Sequence, residues 1–211
     1  FFDPRLAASI TRRGHEIINR SRDFIESTGQ NVIYGDTDSL FVLLPPDTDE
    51  EQAHDTGREL ARRLNAWWTT QLAAEHRIES FLEVEFETHY LRFHMPTVRG
   101  SDIGTKKRYA GSVRDANGEI GLVFKGLESV RTDWTPLARN FQRELYRRVF
   151  LDLPFREYVT EVNRSLIAGE LDKDLVYRKR LRRGVNEYTQ IVPPHVQAAR
   201  KLDIPFPDAN K

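Results

Sequence analysis

The sequence predicts an α+β protein, and three features of it do so. Two long stretches, residues 3–29 and 48 to about 76, carry apolar residues at helical spacing. Shorter runs alternate apolar and polar residues around turn-forming tetrapeptides. From Thr135 onward the pattern is helical again and the charge turns basic. That order favours helices packed on an antiparallel sheet, followed by a helical module.

Asp3 is placed to cap the first helix, Pro4 suits its first turn and Gly29 its exit. Leu6, Ile10, Ile17 and Phe24, with Ile18 and Ile25 beside them, form its apolar stripe. "NVIYGDTDSLFVLL" (31–44) reads as two strands turning at "GDTDS". "PPDTDEE" is a loop in which Thr48 and Glu51 form a capping box. The second helix follows through Ala53, Gly57, Leu60, Leu64, Trp67 and Leu72. "FLEVEFETHYLRF", Phe81 to Phe93, alternates and reads as a strand. "KKRYAGSV" and "IGLVFKG" are two more strands around the turn "DANG". "PLARNFQRELYRRVF", "FREYVTEVNRSLIAG" and "PPHVQAARKL" read as helices. The expected boundary falls near Asp133, dividing 1–133 from 134–211.

At 211 residues there is room for one large domain or two small ones. With 30% charged and 39% hydrophobic residues the chain reads as soluble and globular. No apolar stretch approaches the ~20 residues of a membrane span, so no membrane partner is expected. Nothing resembles a secretory leader. The opening "FFDPRL", without an initiator Met, is expected of a piece of a longer protein. The lack of cysteine excludes disulfides, cysteine-ligated zinc and iron–sulfur clusters, and suits a reducing compartment. A net charge of zero hides an asymmetry. Residues 1–133 carry 17 Lys and Arg against 22 Asp and Glu, a net of −5, and residues 134–211 carry 15 against 10, a net of +5.

Asp36 and Asp38 stand one residue apart at the hairpin tip. Like charges that close repel, so the tip is either an ordinary solvated turn or a seat for something positive. A calcium loop would continue its ligands at alternate positions, where Leu40 and Val42 stand instead. Strand alternation predicts both carboxylates on one side and Thr37 on the other. By the same alternation Lys106 to Tyr109 form a basic strand on which Lys107 and Tyr109 project together. Arg178, Lys179, Arg180, Arg182 and Arg183 crowd six positions, which suits either a solvated loop or a phosphate grip. Trp67, Trp68 and Trp134 read as core, and the six histidines lack metal-ligand spacing.

"YGDTDS" resembles motif C of the family B DNA polymerases. "FFDPRLAASIT", "TKKRYAG", "KGLESVRTDW" and "DLVYRKRLRRGVNEYT" followed by "PPHVQAARK" recur in that family's order, most like its bacterial branch. The resemblance implies the distal palm over 1–133 and the thumb over 134–211. It implies a parent enzyme that adds dNTPs to a primer 3′ end on primer–template DNA, with two Mg²⁺ ions and release of pyrophosphate. Two ions about 3.5–4 Å apart would clamp the attacking and leaving oxygens. By resemblance Asp38 is the direct metal ligand and Asp36 lies against the primer end and the metals. Glu87 is either a supporting carboxylate or an exposed sheet residue. Lys106, Lys107, Arg108 and Tyr109 would follow the duplex minor groove. Lys125, Gly126 and Arg131 would lie near the same groove, with Glu128 either joining them or serving as a structural link. Arg178, Lys179, Arg180, Arg182 and Arg183 would grip the duplex backbone. A sliding clamp is a candidate accessory partner, and the bacterial cytosol or nucleoid the expected location, with a part in repair and replication restart. The family's motifs A and B precede this segment, so the piece alone is expected to be inactive. The alternative is a non-catalytic DNA-binding module that keeps this shape.

Overall fold

The computed structural model describes residues 3–97, 100, 104–105, 107–131, 133–178, 181 and 183–201. Lys106, Lys179, Arg180 and Arg182 lie outside them. The element order is α1 (Pro4–Ser27), β1 (Asn31–Asp36), β2 (Ser39–Leu43), α2 (Glu50–His76), β3 (Arg92–His94), β4 (Tyr109–Arg114), β5 (Ile120–Lys125), α3 (Pro136–Phe150), α4 (Arg156–Ile167) and α5 (Pro194–Arg200). β1 and β2 form an antiparallel pair, and β3-β4-β5 a second sheet. The α+β class is borne out.

Two compact units are distinguishable among the described residues. One holds the chain up to Phe93 with Thr97–Lys107 and Ser112–Gly121; the other holds His94–Pro96, Arg108–Gly111 and the chain from Leu122 on.

In the first unit α1 starts where expected, with the Asp3 carboxylate accepting from Arg5 N. Ile25, Leu64 and Trp68 are buried, with Phe24, Val32, Leu40 and Val42 packed around them. Trp68 Nε1 donates to Ser21 Oγ at 2.8 Å inside this core, so the indole's polar atom is satisfied. The Arg20 guanidinium lies over both Trp67 and Trp68 and grips Glu75, which closes α1 against α2. The apolar stripe of α1 is covered only in its second half. Leu6 and Ile10 are exposed at 65% and 74%. At α2 the capping residue is Asp49 rather than Thr48: its carboxylate accepts from Gln52 N at 2.8 Å, and Glu50 and Glu51 follow at the positive end of the helix.

The strand expected over Phe81–Phe93 is reduced to β3. Residues 81–91 lie outside every strand, although the alternation survives, with Leu82, Val84 and Phe86 half-buried between exposed glutamates. Phe81 is 89% exposed, so the inward set begins one residue later than the apolar pattern suggested. The backbone of Val84 pairs with a side chain instead of a strand. Its N–H donates to Asn65 Oδ1 and its carbonyl accepts from Asn65 Nδ2, both at 2.8 Å. Gly57 explains itself here, because a Cβ on it would collide with the Phe86 ring.

The β4–β5 connection is the expected tight turn. Asp115 Oδ1 accepts from Asn117 N and Glu119 N, and Gly118 takes a φ of +83° that suits glycine. In the second unit Ala110, Leu127 and Phe150 form the core, flanked by Leu122, Phe124 and Tyr146. Thr135 caps α3, and Phe141 of α3 stacks on Tyr158 of α4 at 5.7 Å. Trp134, expected in the core, is instead exposed.

Candidate functional site

The hairpin tip is built by three local devices. A register shift between Val32 and Tyr34 leaves Ile33 unpaired, and beyond it Tyr34 opposes Phe41, Gly35 opposes Leu40 and Asp36 opposes Ser39. Bulges of this kind re-aim side chains beside functional sites. Gly35 permits the close approach of β2, since a Cβ there would lie 3.1 Å from Leu40 Cδ2. Thr37 takes a φ of +46°, an unusual conformation for a β-branched residue. Strand alternation therefore stops at Asp36, and Thr37 and Asp38 form the turn itself. The carboxylates are set by this turn rather than by the pleat.

Hydroxyls orient both acids. Thr37 Oγ1 donates to Asp36 Oδ1 at 3.0 Å, and Ser39 Oγ to Asp38 Oδ1 at 3.3 Å. The answering positive charge comes from Lys107. Its Nζ lies 3.3 Å from Asp36 Oδ1 and 3.2 Å from Thr37 Oγ1, and its backbone N–H donates to the Tyr34 hydroxyl at 2.9 Å. The lysine is 68% and the aspartate 29% exposed, so the pair is open to solvent and exchangeable.

Lys107 is not a strand residue. Its φ of +61° places it before β4, which begins at Tyr109, so the expected common projection of Lys107 and Tyr109 does not arise from strand alternation. Arg108 turns elsewhere: its guanidinium pairs with Glu128, whose other oxygen accepts from Gln142 Nε2 at 2.7 Å. Gln142 in turn accepts from Ser129 N at 2.7 Å. Arg131 is paired with Asp133 at 2.7 Å, and that hydrogen bond raises its pKa above the ordinary guanidinium range. Lys125 closes β5 and Gly126, with a φ of +62°, follows it, both exposed. Arg178 and Arg183 are exposed and have no acidic partner among the described residues.

Asp36 and Asp38 are hard oxygen donors of the kind that suits Mg²⁺, and the ammonium beside Asp36 marks a carboxylate that draws a cation. As two they supply part of a coordination shell. No group of three His, Cys, Asp or Glu able to hold a metal exists among the described residues, so Glu87, exposed and outside any strand, is not brought to the pair. The residues missed in the sequence are Tyr34, the Thr37 hydroxyl and Gln142. Tyr34 stands two positions before Asp36, but its partner is 73 residues away and leaves no local signal.

Fold and turn together define an α+β protein whose hairpin tip carries two carboxylates, one of them paired with a lysine. The chain belongs to DNA polymerase family B, whose family model matches residues 1–204. DNA polymerase II of Escherichia coli is 57% identical to it over 203 residues, covering 96% of this chain and 26% of that protein. A DNA polymerase of Pyrococcus horikoshii is 30% identical over 200 residues, covering 93% and 14%. The DNA polymerase zeta catalytic subunit of Schizosaccharomyces pombe is 29% identical over 207 residues, covering 93% and 13%. The expected bacterial branch is borne out by the first of these. The chain spans about a quarter of the length of the Escherichia coli protein and less of the other two. No helix among the described residues is long and apolar enough to cross a membrane.

Proposed function

We propose that this chain is the distal palm, about residues 1–133, and the thumb, about 134–211, of a template-directed DNA polymerase that adds dNTPs to a primer 3′ end. The observation that carries the reading is the left-handed turn at Thr37 between Asp36 and Asp38, with the Lys107 ammonium laid against Asp36 and Thr37. Family membership supports it.

Asp36 and Asp38 would hold Mg²⁺ jointly with ligands from elsewhere in the complete enzyme, and bound Mg²⁺ supplies charge stabilisation to the attacking 3′ oxygen and the departing pyrophosphate. Thr37 and Ser39 donate to the two carboxylates and so limit their rotation, which keeps the acids pre-oriented. The Lys107 ammonium neutralises Asp36 and, when primer–template DNA enters, turns to the primer strand, where a lysine offers charge without reading sequence. By the family resemblance Lys106, Tyr109, Lys125 and Gly126 would add contacts to the same duplex. Arg178, Lys179, Arg180, Arg182 and Arg183 grip the product duplex through phosphates, which carry no base information. Arg108 and Arg131 have acidic partners within the chain, so their contribution to DNA binding is smaller.

The deciding experiment uses a complete polymerase polypeptide that carries this segment. Asp38→Ala should lower primer extension by at least about 10²–10³-fold, with DNA affinity changed little. The 211-residue piece alone should extend no primer, because its two acids are only part of a metal site. Near-normal extension by the variant would leave the non-catalytic DNA-binding module as the better reading.

A further inference from the structure

Tyr34 joins two sites that are far apart in sequence. Its hydroxyl oxygen accepts the Lys107 N–H at 2.9 Å across 73 residues. Lys107 has a φ of +61°, a conformation that a lysine keeps only where its surroundings hold it. The bond to Tyr34 is such a restraint. From this backbone the Lys107 ammonium reaches Asp36 Oδ1 and Thr37 Oγ1 together. The Tyr34 ring is itself fixed, lying 5.3 Å from the Phe41 ring, which lies 5.2 Å from that of Phe93. The aromatic body is thus anchored within the first unit, and the hydroxyl at its far end meets the backbone of the 107 turn.

We propose that Tyr34 is a positioning residue whose hydroxyl holds the Lys107 backbone, so that one ammonium can pass between the acidic turn and the primer strand. This rests on the polymerase reading of the same turn. The acids and the lysine are the groups that meet metal and DNA. Tyr34 acts through Lys107, whose backbone N–H its hydroxyl accepts. A phenylalanine would fill the same space and withdraw the acceptor, which leaves Lys107 N–H to water and its left-handed turn to relax. The ammonium would then sample many positions, and its contribution to DNA affinity would fall even though its charge remains.

The test is a double-mutant cycle in a complete polymerase carrying this segment. The variants are Tyr34→Phe, Lys107→Ala and the two together. Affinity for a primer–template duplex is measured by fluorescence anisotropy at several salt concentrations, with a melting curve for each variant. Tyr34→Phe should weaken binding by about 3–10-fold and flatten the salt dependence toward that of Lys107→Ala. In the Lys107→Ala background the same change should cost less than about 2-fold, because two residues that act through one contact are not additive. Equal losses in both backgrounds would mean a merely structural tyrosine and would overturn the inference. So would an unchanged affinity in Tyr34→Phe when Lys107→Ala weakens binding, and in that case the polymerase reading of Lys107 stands. If Lys107→Ala itself changes neither affinity nor salt slope, both fail together.

Discussion

Lys107 and Arg108 are neighbours in the chain and belong to different compact units. Lys107 lies open to solvent against an acid of the hairpin tip, in a pair that is 68% and 29% exposed. Arg108 is drawn into a network with Glu128, Gln142 and the Ser129 backbone, in a pair that is 40% and 18% exposed. The physical consequence differs accordingly. An exposed ion pair contributes little stability, and its members can exchange partners at low cost. A half-buried charge with hydrogen-bonded neighbours is expensive to release, because each group left behind loses its partner away from water. One basic tetrapeptide thus supplies an exposed charge open to exchange and a charge committed to the fold.

The sharpest way to break this contrast is Glu128→Ala. It strips partners from Arg108 and Gln142 together and should cost about 1.5–3 kcal/mol in urea unfolding. Lys107→Ala should stay within about 0.5 kcal/mol of the parent. If the two cost the same, the division between an exchangeable and a structural cation fails.

The unit that carries the open hairpin tip is tightly packed elsewhere, and Gly57→Ala probes that. Helix propensity alone would make the change stabilising by about 1 kcal/mol. The collision of the new Cβ with the Phe86 ring should reverse the sign, to a loss of about 1–2 kcal/mol by chemical denaturation. A gain would show that the segment bracketed by Asn65 gives way easily.

The smallest effect is in pH. Burial, and next the charge of His54, push the His89 pKa below its ordinary value, and Glu50 on α2, itself paired with Arg114, offsets part of this. The unfolded chain takes up that proton at about pH 6.5 and the folded chain only at lower pH. Between those points the unfolded state holds more protons, so stability falls as pH drops through the window. In the second unit the Arg147 hydrogen bond holds Glu144 below the usual carboxylate range, so its contribution persists until much more acid conditions. His89→Gln should flatten the unfolding free energy from about pH 7 to about pH 5. An unchanged slope would remove His89 as its source.

Much of the fold was legible because its causes are local. Asp3 and Pro4 start α1, "DANG" turns β4 into β5, and Thr135 with Pro136 starts α3, each through bonds within a few residues. The two acids of the tip were legible for the same reason. The strand expected over Phe81–Phe93 failed because a two-residue period reports which side is buried and not what bonds the backbone. Asn65 took that place from another element. The uncovered Leu6 and Ile10 show the same limit, since a stripe announces a face and says nothing of what covers it.

By itself, then, the sequence determined the helices, the hairpin with its two carboxylates and the basic run that follows, because helix caps, turns and side-chain periodicity act over a few residues. Only the tertiary structure decided that Lys107 serves Asp36 while Arg108 serves Glu128. Nothing in adjacent identical charges distinguishes them. The difference comes from a left-handed backbone at Lys107, the start of β4 at Tyr109, and partners brought from distant points of the chain, Asp36 to Lys107 and Glu128 to Arg108.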